Sequence, residues 1–228
     1  MTAQSSGNKF LRVLGIILLS LAVLMTLLGG IGTTCVAFAA EKFGGSMAKL
    51  APVKPIFQAL VVISIAAGIF GLLATIRLAR GRRGVINQVL AFLVVAGAAS
   101  AVQYYYSLTL RGSTAPNNVR LYVTVLALVA MLIYRLPGMW DKVGYERAGG
   151  SGKGAGLAGG AALCLCGAIT LTTPLWAGPT HMVDGFNTVE VLGWQLLVLG
   201  SAQLLGGIGL LIAPLVRRGE VVAKVESI

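Results

Sequence analysis

Two cysteines and the chain's one histidine fall within a single stretch, "GGAALCLCGAITLTTPLWAGPTH", Gly159 to His181. Sulfur and imidazole together raise metal binding or thiol redox chemistry. The spacing argues against both. On a helix, residues two apart point about 200° from each other, so Cys164 and Cys166 cannot grip one ion or close a disulfide. His181 lies beyond Cys166 by roughly 22 Å of helix. Cys35 belongs near the end of a different apolar segment. Thiols in apolar surroundings also carry little thiolate. They read as small packing residues, with a thiol- or quinone-linked redox role on Cys164 or Cys166 as the remaining chemical alternative.

The other candidate groups are amides. Gln203 sits near the centre of the last apolar segment, with Gln195 on the same helical face, and Gln103 opens "QYYYS" near the end of the third. An amide in lipid needs a partner, and hydrogen bonds between helices are worth ~0.6–2 kcal/mol. For Gln203, glue between helices is the expected role; the Gln103 stretch is expected to anchor in the interfacial belt; contacts lining a solute path are the alternative. Asp184 and Glu190, in one loop, read as solvated carboxylates. No catalytic residue, cofactor site or metal site is expected. There is no phosphate-binding loop, zinc signature or nucleophile set built around the lone histidine, and an enzyme is not expected.

The elements that must position these groups follow from composition. Hydrophobic residues make up 57% of the 228 and charged ones 11%, against about 25% charged in soluble domains. Six segments are apolar over about the 20 residues that a bilayer core requires. They run over 11–39, 55–79, 85–110, 119–136, 156–176 and 189–216. Helices are the only open-ended solution in lipid, and the runs lack the alternation of a membrane barrel. The fold class is therefore all-α, a polytopic integral membrane protein with six transmembrane helices. The fourth is the shortest. Arg120 and Arg135 close it at either end, and both are expected to snorkel outward to the headgroups.

Basic residues set the orientation. Thirteen lie in the two termini and in the loops after the second and fourth segments; five lie on the other side. Cytoplasmic loops carry the excess, so both termini are expected in the cytoplasm of a cell with a bacterial-type inner membrane. The cluster Arg80, Arg82, Arg83 then reads as a topological signal and a contact for anionic lipid headgroups, not as a nucleic-acid patch. The first segment starts like a signal peptide, but its apolar run exceeds the usual 7–15 residues, and an uncleaved anchor is expected.

Three regions are expected: a four-helix transmembrane block over 1–140, a cytoplasmic glycine-rich linker over 141–156, and a C-terminal helical hairpin with a short tail over 157–228. The piece around Trp140 is expected as an interfacial segment or a solvated loop. Gly152, Gly156, Gly160 and Cys164 recur every four residues, as do Ala202 and Gly206 on the sixth segment. Small residues at that spacing let helices approach closely, either on each other or on a partner chain. The function expected is non-catalytic: an accessory, scaffold or assembly subunit in the lipid bilayer, packed with another membrane protein or with copies of itself. A channel or facilitator for a small neutral or hydrophobic solute, lined by Gln103, Gln195 and Gln203, is the alternative.

Overall fold

Apolar runs bounded by glycine, proline and charge become six long helices, each long and apolar enough to cross a membrane. The structure is a computed structural model describing residues 6–43, 45–145, 152–178, 182–183 and 186–226. The spans are α1 (Ser6–Ala39), α2 (Lys54–Ala79), α3 (Val85–Tyr106), α4 (Asn117–Tyr134), α5 (Gly152–Ala177) and α6 (Gly193–Glu226). Beside them lie short helical turns and a two-residue antiparallel pairing of Met182–Val183 with Phe186–Asn187. The protein is an all-α, multi-pass membrane protein. Its surface supports this: Val62, Phe70, Val94, Leu126 and Leu205 are large, apolar and exposed, a distribution that water would penalise and lipid does not.

Local chemistry explains the ends. Pro55 sits in the first turn of α2, where its missing N–H costs nothing. The tight turn into α3 needs Gly81 and Gly84, both at positive φ. Exposed Arg80, Arg82 and Arg83 are displayed on that turn. After Tyr106 the backbone widens into a π-helical turn, Ser107–Arg111, closed by Gly112.

Spans α1 to α4 form an antiparallel block in which α1 packs on α2 and α4, and α3 packs on α2 and α4. Its main core, toward the end where α1 begins, joins Leu19, Val89, Phe92, Leu93 and Met131. A smaller apolar cluster at the other end joins Val36, Ala37, Leu50, Phe57 and Val61. Spans α5 and α6 form a hairpin, and α5 docks it onto α1.

The segment after α4 is not a plain solvated loop. A short helix, Met139–Val143, ends at Gly144, and the chain turns Tyr145 fully into the core. There its hydroxyl donates to the Arg12 carbonyl at 3.1 Å, and its ring stacks at a tilt on Trp140, 5.3 Å between centroids. Residues 139–145 thus cap the four-helix block. Of the linker expected at 141–156, residues 141–145 belong to this cap and residues from Gly152 on belong to α5; the residues between lie outside the described ones.

Candidate functional site

Serine and threonine hydroxyls inside a span usually return to their own helix. Thr26, Thr75, Ser100 and Thr124 do so, each bonding the carbonyl four residues back. Ser64 is different. It is fully buried at the middle of α2, and its hydroxyl accepts from Arg120 Nη2 at 2.8 Å.

Arg120 is the departure from expectation. It does not snorkel: it is 3% exposed and lies across the interior of the block. Its Nη1 donates to Gln103 Oε1 at 3.1 Å, and Gln103 Nε2 donates to Thr33 Oγ1 at 2.8 Å. Thr33 in turn bonds the Gly29 carbonyl. The reason for the inward turn is steric as well as polar. Gly29 leaves the space, since a Cβ there would lie 2.8 Å from Arg120 Cδ and 2.9 Å from Nη1. Arg135, at the other end of α4, is exposed as expected.

These residues form one polar layer contributed by all four spans: Gly29 and Thr33 of α1, Ser64 of α2, Gln103 of α3 and Arg120 of α4. The layer separates the two apolar clusters of the block. No carboxylate among the described residues bonds Arg120; the ion pair recorded among them is Lys54 with Glu41, at 3.0 Å in the loop between α1 and α2. Arg120 Nε is buried with no acceptor at all. In a medium of low dielectric, a guanidinium with neutral partners alone is costly.

The three glutamines do not share a lining. Gln103 belongs to the polar layer. Gln203 accepts from Thr170 Oγ1 at 2.9 Å between α5 and α6, which is a bond between helices. Gln195 is exposed on the outer face of α6.

The close approach of α5 and α6 runs through Gly160, Cys164 and Gly167 on one side, Gly200 and Gly207 on the other. A Cβ on Gly160 would stand 2.8 Å from the Gly207 carbonyl, and one on Gly167 2.8 Å from that of Gly200. Cys164 Sγ reaches toward the Leu204 carbonyl at 4.0 Å. Gly156 lies at the edge of this seam, where a Cβ would stand 3.8 Å from the Leu210 carbonyl. Ala202 and Gly206 are exposed, and a Cβ on Gly206 would meet only open space. The surroundings of Gly152 lie outside the described residues, as do His181 and Asp184. Cys35, Cys164 and Cys166 are free thiols, each half-buried. Among the described residues, no group of three or more His, Cys, Asp or Glu is placed to hold a metal.

Sequence reasoning passed over Ser64, Gly167, Gly200, Gly207 and Tyr145, and turned Arg120 outward. The available signal for an inward Arg120 was the set of small residues, Gly29 among them, at the matching depth of α1. No protein-family profile matches the chain, and neither a curated protein nor a solved structure is found to resemble it.

Proposed function

We propose that this multi-pass membrane protein is a non-catalytic assembly or scaffold subunit that packs against another transmembrane helix through the outer face of α6. The observation carrying this reading is the disposition of α6. Only 11% of its most apolar stretch is buried, against 33% to 44% in the other five spans. Its outward side presents Ala202, Gly206 and Gly209, with open space at both glycines. Glycines already spent on the α5 seam explain themselves; glycines facing outward lower helix stability by about 1 kcal/mol each relative to alanine and have no use in the isolated chain. A close helix partner supplies that use. The conduit for a neutral solute lacks a common glutamine lining, and the half-buried free thiols give the redox alternative no paired site.

The basic residues favour a bacterial-type inner membrane with both termini cytoplasmic. Arg80, Arg82 and Arg83 then meet anionic headgroups on that side.

The test is disulfide trapping in native membranes, with the three cysteines replaced by alanine and single cysteines placed at Ala202 or Gly206. A cross-linked species of discrete mass from these positions, absent from a control at exposed Ile208, which faces more than about 100° away from both, is expected. Adducts of equal yield from all three positions, or none from any, would overturn the assembly reading.

A further inference from the structure

The polar layer of the four-helix block has more donors than acceptors. Gln103 Oε1 and Ser64 Oγ each accept from the guanidinium, and Thr33 Oγ1 accepts from Gln103. Three N–H bonds of Arg120 remain, one on each nitrogen; that on Nε is buried without any partner. The Ser64 hydroxyl proton and the second Nε2 proton of Gln103 are also uncommitted. All of these surplus groups are donors, and one carries a full positive charge.

Position adds to this. Asn117 Nδ2 donates to the Ser100 carbonyl at 3.0 Å, so α4 starts level with Ser100. Span α3 and its π turn continue past that level through Arg111, roughly 16 Å further at helical rise. The start of α4 therefore lies deeper than the end of α3, and Arg120 stands in its first turn, where the helix dipole is positive. The same turn buries two acceptors without a donor, Asn117 Oδ1 and Asn118 Oδ1. A ligand with anionic oxygens and a hydroxyl beside them matches both deficits.

We infer that the donor-rich layer of Arg120, Ser64 and Gln103, at the start of α4, binds an oxyanion of the phosphate class. The planar guanidinium suits such oxygens because it can offer two parallel N–H bonds. Gly29 leaves the space in which the Arg120 side chain lies. The phosphate comes either from the headgroup of an anionic lipid or from solution. This inference stands apart from the assembly face on α6, which lies on a different helix pair.

The full chain is purified in detergent and its thermal unfolding followed as inorganic phosphate replaces chloride at constant ionic strength. In parallel it is reconstituted in bilayer discs of equal phosphatidylcholine and phosphatidylglycerol, re-extracted, and its retained lipid weighed by native mass spectrometry. Saturable stabilisation by phosphate identifies a soluble ligand; selective retention of phosphatidylglycerol identifies a lipid. Either response should weaken at least about tenfold in Arg120→Gln, which loses the charge-assisted bonds. If that variant does not fold, Ser64→Ala and Gly29→Ala decide, each expected to weaken binding at least about fivefold, the first by loss of one donor and the second by displacing the Arg120 side chain that its Cβ would strike. A folded wild type that neither responds to phosphate nor prefers phosphatidylglycerol overturns the site. So does binding unchanged in the folded variants.

Discussion

Arg120 and Ser64 are 56 residues apart in sequence and joined by a 2.8 Å hydrogen bond inside the four-helix block, guanidinium nitrogen to hydroxyl oxygen. A cation buried on neutral partners is expensive to keep. Removing one of those partners differs in kind from removing the cation itself.

Ser64→Ala should therefore cost about 1–3 kcal/mol, because it strips an acceptor from a buried charge. Arg120→Met should unfold no earlier than wild type, because an apolar chain of similar length abolishes the desolvation penalty. Thermal unfolding in one detergent, without added phosphate, checks both. An Arg120→Met protein markedly less stable than Ser64→Ala would mean that the arginine is structural cement, not a charge retained for binding.

The α5–α6 seam gives a second contrast. Gly160→Leu or Gly207→Leu places side chains where backbone now touches backbone, since a Cβ at either position comes within 2.8 Å of the other's carbonyl oxygen. Spreading the hairpin should cost about 1–3 kcal/mol. Gly206→Leu, on the open side, should leave the isolated chain's unfolding temperature unchanged or higher and abolish the cross-link expected on α6. The same denaturation series, with membrane cross-linking, reads both effects.

The six spans were legible in the sequence because length and apolarity alone decide whether a helix can cross lipid. The second span is expected at 55–79 and runs Lys54–Ala79; the fifth is expected from 156 and begins four residues earlier, at Gly152. Which face meets which neighbour was not legible. In lipid the outward side is as apolar as the core, so periodicity carries little information about burial. Ala202 and Gly206 share a spacing with Gly160 and Cys164, yet the seam uses Gly200 and Gly207 instead. Arg120 misled for a related reason. Near a helix end a long basic chain can reach headgroups, and only the space at Gly29 and the partners on α2 and α3 turn it inward. Neither is local to it in sequence.

Tyr145 supplies a prediction with a pH dependence. Burial pushes its hydroxyl well above the ordinary tyrosine range, the neighbouring Tyr134 pushes the same way, and Arg12 opposes them weakly. The folded state holds this proton when the unfolded chain has released it. The contribution is thus intact below about pH 10, the free tyrosine value, and is lost as pH rises above it. Tyr145→Phe should lose about 0.5–1.5 kcal/mol at neutral pH, the bond to the Arg12 carbonyl, and show a shallower decline in stability above pH 10. Parallel declines in both proteins would place the alkaline sensitivity elsewhere.

The orientation proposed from the basic residues can be read directly. Arg82 is exposed on the turn between α2 and α3, and Ser113 on the connection between α3 and α4. Span α3 separates them, so one lies on each side of the membrane. In a chain whose three native cysteines are alanine, single cysteines at these positions should react oppositely with a bulky, membrane-impermeant maleimide added to intact cells. Ser113→Cys should label at once, and Arg82→Cys only after the membrane is opened. The physical basis is that translocating a run of arginines is disfavoured during insertion, so Arg80, Arg82 and Arg83 are expected to hold their turn in the cytoplasm. Labelling of Arg82→Cys on intact cells, with Ser113→Cys protected, would invert the orientation. The start of α4, and with it the Arg120 layer, would then lie toward the cytoplasmic side, where a soluble phosphate ligand is the more accessible source.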